Sequence, residues 1–144
     1  MNQVTISTQV LDALHNLSHA YRREMRKALQ ALEPTLTDGD LRVLLFLGYQ
    51  PDSTHKKLME HMRTDKAQLT RMLRELESKG WIVRTPHPED GRSRQLQLSE
   101  RGAELFSALR QRRAKIGSAM LCGVSIEKQL QFLDLLKLME EQAA

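Results

Sequence analysis

Cysteine occurs once in this chain of 144 residues, at Cys122. One thiol closes no internal disulfide, and no Cys-x-x-Cys pair exists to hold a metal or cycle electrons. A reducing compartment fits best. Long apolar runs are scarce too. Stretches such as Val43 to Leu47 fall far short of the roughly 18 residues a membrane span requires, and Asp12 interrupts any secretory hydrophobic segment near the start. The expected location is the cytoplasm. There is no Gly-rich phosphate loop, no Gly-x-Ser-x-Gly, no His-Glu-x-x-His and no set of zinc ligands, so neither an enzyme nor a bound cofactor is expected. Repeats and low-complexity tracts are absent as well.

What the chain does have is an ordinary globular balance, 40% hydrophobic and 28% charged, which supplies a core and excludes disorder. The formal net charge is +4, from 22 Lys and Arg against 18 Asp and Glu. That excess is not spread evenly. Residues 53–101 hold eleven Lys and Arg against seven Asp and Glu, which is the whole surplus, while the flanks are neutral. His55, His61 and His87 lie in the same stretch and gain charge beside an anion. The pattern is an electropositive module between neutral flanks.

Hydrophobic spacing predicts the elements. Val10, Leu11, Leu14, Leu17, Tyr21, Met25, Ala28, Leu29 and Leu32 trace one helical face that Pro34 ends, a stripe too long for one small globule to cover. Thr37 and Asp38 cap a second, apolar helix closed by Gly48 and the Pro51-Asp52-Ser53 turn. A short helix follows from about Thr54 to His61. Asp65, with Gln68 three residues on, resembles a capping box and opens a helix to Lys79 that Gly80 terminates. Leu69, Met72, Leu73 and Leu76 form its apolar stripe. Trp81 to Thr85 and the alternating Gln95 to Leu98 read as a β-hairpin with a long basic tip. Two more helices follow, the first capped by Ser99, the second carrying Ile126, Leu130, Leu133, Leu136 and Met139.

A short helix, a three-residue turn and an amphipathic helix make a helix-turn-helix, in which the second helix enters the DNA major groove, and the hairpin adds a wing. Base edges are read by side-chain donors, phosphates by cations. Lys66, Gln68, Thr70, Arg71 and Arg74 on the second helix, Thr54 and Lys56 at the first, and Arg92 and Arg94 on the wing are the expected DNA-binding residues. Gln pairs bidentately with adenine and Arg with guanine, each worth roughly 1–3 kcal/mol of discrimination.

From Leu36 to Gly102 these residues resemble the multiple-antibiotic-resistance-regulator (MarR) family of bacterial transcription factors. Three segments carry the likeness: LTDGDLRVLLFL, LTRMLRELESKGWIVR and PEDGRSRQLQLSERG, the last with an Asp-x-Arg wing at Asp90 and Arg92. The resemblance implies a mainly α fold with a small β-hairpin: a winged helix-turn-helix at 35–99, flanked by dimerisation helices at 1–34 and 100–144. It implies a homodimer on double-stranded DNA, a repressor released by a small aromatic or anionic effector, and an Asp90–Arg92 ion pair bracing the wing. His15, His19, Tyr21, Arg22 and Tyr49 are the expected effector-lining residues. Departures from the pattern are Arg63 where Gly is common, Arg74 where an acid is common and Asp65 where Ser is frequent. His15 and His19 also stand at a spacing that chelates metals, but no nearby Cys or acidic pair completes a site, so no metal is expected. Cys122 reads as structural. The competing class is a helical adaptor that binds protein through its long apolar stripe.

Overall fold

The first amides of a helix have no partners within it, and in this chain side chains fill the gap. Thr37 Oγ1 accepts from the Asp40 amide at 3.2 Å while Asp40 Oδ2 accepts from the Thr37 amide at 2.9 Å, a reciprocal box that opens α2 (Asp38–Tyr49). The expected partner Asp38 instead holds Arg26 at 2.7 Å. Asn2 opens α1 (Gln3–Leu32), Thr54 α3 (His55–Met62), Asp65 α4 (Lys66–Ser78), Ser99 α5 (Glu100–Met120) and Ser125 α6 (Ile126–Ala143), each by accepting an amide with its side chain. The computed structural model describes residues 2–86, 89 and 94–144.

The sheet has three strands where the sequence predicts a hairpin. β2 (Ile82–Pro86) and β3 (Arg94–Leu98) pair antiparallel, and β1 (Ser53–Thr54) adds to the far edge of β3, with Ser53 opposite Leu96. Two residues carry no periodicity, so β1 reads as a turn. It is fixed by the Ser53 hydroxyl, which donates to the Gln50 carbonyl at 2.6 Å, and by a hydrogen bond from Gln97 to Asp52.

The core gathers around α2. Val43, Leu44 and Leu47 are fully enclosed with Leu58 of α3, Leu69, Leu73 and Leu76 of α4, Ile82 and Leu96 of the sheet, Met25 and Leu29 of α1 and Leu109 of α5. Met72, expected on the buried stripe, is only partly covered. Outside this centre the apolar stripes meet solvent. Only Met25, Ala28 and Leu29 of α1 are buried, and no residue of α6 is. Leu11 is 60% exposed and Ile126 75%. Val10, Leu14 and Leu17 of α1 line a groove of about 460 Å³ with Phe132, Leu135 and Met139 of α6.

α4 ends in a Schellman turn. Trp81 N donates to Leu76 O at 2.9 Å and Gly80 N to Glu77 O at 3.0 Å, with Gly80 at φ 83°. The carbonyls left over are taken by the start of α5: Ser99 Oγ donates to Gly80 O at 2.6 Å and Arg101 Nη1 to Lys79 O at 2.9 Å. The Arg101 guanidinium lies over the Trp81 ring, 3.9 Å from its centre. Gly102 makes this approach possible, because a Cβ there would stand 2.1 Å from Trp81 O. At the other end of the helix pair, Arg63 closes α3 in the left-handed region at φ 51°, where an L side chain is strained.

Two substitutions test these joints. Gly102→Ala has no room to relax against backbone and should cost about 3 kcal/mol, the upper end of overpacking, read as a lower midpoint in urea. Arg63→Gly should raise stability by about 0.5–1 kcal/mol, because glycine takes the left-handed cap without strain, whereas Arg63→Ala should not.

Candidate nucleic-acid interface

α3 and α4 are joined by the turn Arg63-Thr64-Asp65. Arg42 of α2 reaches into this joint, its Nη2 donating to the Met62 carbonyl at 3.4 Å. Asp65 Oδ1 accepts from the Gln68 amide at 2.8 Å, as expected for a cap. The box is not reciprocal, however. Gln68 Oε1 accepts from the Thr64 hydroxyl at 3.0 Å instead of turning to the cap backbone. This fixes the Gln68 amide orientation, with its NH₂ directed away from the cap.

Burial of Leu69, Leu73 and Leu76 turns the opposite side of α4 to solvent. Lys66, Gln68, Arg71 and Arg74 are all exposed there, and Gln68, Arg71 and Arg74 follow at three-residue steps along one face. Thr70 stands apart from this set. Its hydroxyl donates to Lys66 O at 2.7 Å and lies 3.4 Å from His55 Nε2, which engages it at the contact between α3 and α4. Thr54 is likewise engaged, accepting from Lys57 N at 3.2 Å as the cap of α3. The wing tip residues Asp90 and Arg92, and the ion pair expected between them, lie outside the described residues.

The sheet brings the remaining cations to the helix pair. Thr54, His55 and Lys56 of the β1–α3 corner, Lys66 of α4, Arg84 of β2 and Arg94 of β3 line one cleft of about 570 Å³, together with Met59 and Leu96. Among the described residues no acidic side chain lines it. His55 is only partly buried, yet its pKa is lowered from the ordinary histidine value, first by desolvation and then by the charges of Arg84 and Lys66. Arg84 lies 2.9 Å from Glu77 through Nε, and its Nη2 is covered by protein without a hydrogen-bond partner. Arg84 does not stand out in the sequence, and His55 does so only as one of three histidines in the basic stretch. The alternation of β2 and the pairing with β3 place them here, which no local pattern reveals.

The expected effector residues divide. Tyr21 and Arg22 line a small cavity of about 170 Å³ between α1 and α2, with Met25 and Arg42. Tyr21 and Tyr49 also line one of about 300 Å³ with Arg42, Phe46, His61 and Arg113. Arg113 lies 5.8 Å from the Tyr21 ring and 5.2 Å from that of Tyr49, and Phe46 stacks on His61 at 4.5 Å. His15 and His19 line neither. They meet edge to face at 4.5 Å on the exposed part of α1, and among the described residues no group of three donors forms a metal site. Cys122 is exposed beyond the end of α5. Among the described residues no helix is long and apolar enough to cross a membrane.

Known proteins share this arrangement. The model of the MarR family matches residues 36–93. The HTH-type transcriptional regulator YdgJ of Bacillus subtilis is 29% identical over 70% of this chain, a match that spans 62% of that protein's length. The organic hydroperoxide resistance transcriptional regulator of the same organism is 36% identical over 62% of each chain. Among solved structures, a MarR family transcriptional regulator from Listeria monocytogenes complexed with 26mer DNA superimposes with a TM-score of 0.78 at 18% identity, covering 92% of this chain and 87% of that one. The transcriptional regulator SlyA superimposes with a TM-score of 0.75 at 19% identity, covering 93% of each. The family is one of transcription regulators and not of enzymes. Helix-turn-helix, three-stranded wing and long flanking helices are all in place, so the chain has the fold of these regulators, and its residues 36–93 match the MarR family.

Proposed function

We propose that the protein is a homodimeric, sequence-specific DNA-binding repressor acting in the cytoplasm. The observation that carries this reading is the cleft and helix face described above: Lys56, Lys66, Arg84 and Arg94 line one cleft that no acid among the described residues lines, and Arg71 and Arg74 are exposed on α4. Cations so placed displace the counterions of a phosphate backbone. Gln68 and Arg71, on the exposed face of α4, have the donor geometry for base edges in a major groove, and Arg94 leads from β3 toward the wing and a flanking minor groove. The fold relative from Listeria monocytogenes, which was solved on DNA, supports the same docking.

A second copy of this chain covers the exposed stripes in this reading. α1 is 30 residues long and α6 is 18. Together they leave Val10, Leu11, Leu17, Leu130, Leu133 and Leu135 exposed, apolar surface of the kind a second copy buries. Two copies related by a two-fold axis place two α4 helices on a pseudo-palindromic operator. A small aromatic or anionic effector enters the cavities around Tyr21 and Tyr49, where Arg42 and Arg113 make no ion pair with a carboxylate among the described residues. Because Arg42 also holds the Met62 carbonyl, a ligand that engages its guanidinium favours one setting of α3 and α4 over another, and differential affinity for the two settings is what releases DNA.

The test is fluorescence anisotropy with the DNA upstream of the protein's own gene and a scrambled duplex, each across a salt series. The native fragment should bind more tightly, with log affinity falling linearly in log salt. Absence of binding to either duplex at low salt would reject the reading in favour of a protein-binding adaptor. Gln68→Ala should lower affinity for the native fragment by about 1–3 kcal/mol while leaving the scrambled duplex nearly unchanged. Equal losses on both duplexes would place Gln68 on the phosphates instead.

A further inference from the structure

The cleft between α3, α4 and the sheet holds more positive charge than its protein surroundings satisfy. Arg84 approaches it from β2, Arg94 from β3, Lys66 from the first turn of α4, and His55 and Lys56 from the first turn of α3. Among the described residues the acid paired with one of these groups is Glu77 of α4, which takes one edge of Arg84 and stands outside the cleft lining. Arg84 Nη2 is covered and unpartnered, a costly state for a charged donor. His55 is poised in the opposite sense: its Nε2 is 3.4 Å from the Thr70 hydroxyl, and Arg84, Lys66 and partial burial all disfavour a proton on the ring.

An anion seated in this cleft reverses the balance for both residues. It supplies an acceptor to the guanidinium, and its negative charge outweighs the cations that discourage protonation of the imidazole. The cleft opens beside the start of α4 and the base of the wing, where a groove-docked helix has DNA backbone on either side. We propose that the cleft seats one backbone phosphate of DNA, with Arg84 and Lys66 as its donors, and that seating it puts a proton on His55. The inference rests on the DNA-binding reading above. It adds His55 to that reading and a consequence: each chain takes up a proton as it binds, so affinity rises as pH falls through the range where free His55 is neutral and bound His55 is charged.

The measurement is an NMR titration of the His55 ring in the full-length protein across about pH 5 to 8, with the resonance identified by its absence in His55→Gln. It is made on free protein, with a scrambled duplex at low salt, and with inorganic phosphate at the same phosphate concentration. The scrambled duplex suffices because a backbone contact carries no sequence. The duplex should raise the His55 midpoint and inorganic phosphate should leave it near the free value. In parallel, anisotropy should show wild-type affinity falling with rising pH and His55→Gln losing up to about a tenfold change per pH unit per chain from that slope. Arg84→Gln should reduce the salt slope by about one per chain, and Arg84→Lys, which keeps the charge, should restore it. A duplex that binds without moving His55, or a pH slope that His55→Gln leaves intact, would overturn the proposal while leaving DNA binding standing. Inorganic phosphate that moves His55 as far as the duplex does would overturn it in favour of a free-anion site. No binding of the duplex at all would reject the DNA reading itself, and this proposal with it.

Discussion

The C-terminal end of α4 has carbonyls that its own helix leaves unpaired, and the first turn of α5 supplies the donors. Ser99 and Arg101 take the Gly80 and Lys79 carbonyls, Ser99 N takes Trp81 O at 3.0 Å, and Gly102 lets the two backbones touch. Each bond is modest, about 1 kcal/mol net, but all fall within one turn and close around the buried Trp81. The result ties three things that function needs together. The exposed face of α4, the sheet that carries Arg84 and Arg94, and the long helix α5 cannot shift independently. In the proposed dimer, a movement of α5 would therefore be delivered to α4 through a short chain of contacts.

The second constraint is electrostatic and divides the molecule. Cations with little acidic compensation are gathered at the helix-turn-helix and sheet, while the helices that flank them offer apolar surface. Neither surface is comfortable in a single chain in water. Exposed apolar stripes on α1 and α6 favour association, and like charges packed around His55 favour an anion. The two needs arise on different residues, so the proposed dimerisation through α1 and α6 would leave the basic cleft open. Arg42 and Arg113, with Tyr21 and Tyr49 between them, sit where those two sides meet.

Much of this was legible in the sequence because the signals are local. The stripe Leu69, Leu73, Leu76 gave α4 its buried face, and Asp65, Ser99 and Gly80 gave the ends of two helices. The Trp81–Leu98 region gave the two long strands, and the likeness from Leu36 to Gly102 gave the order of parts. What stayed hidden depends on contacts distant in sequence. β1 is two residues long and exists because β3 offers it an edge. Thr70 has the residue type of a base reader but spends its hydroxyl on Lys66 and His55. Arg84 and His55 come from separate elements that meet only when the sheet closes over α3. His15 and His19 fit a ligand set by spacing, yet the exposed half of α1 carries them away from both cavities.

The central claim is that two copies of this chain, joined through α1 and α6, set two α4 helices on DNA. Hydroxyl-radical footprinting on the fragment upstream of its own gene tests it most directly. The account predicts two equivalent protected patches, centred about 10–10.5 base pairs or a multiple of that apart, with flanking protection in the minor groove from the wings. A single protected patch, or two whose separation is no multiple of the helical repeat, would contradict it.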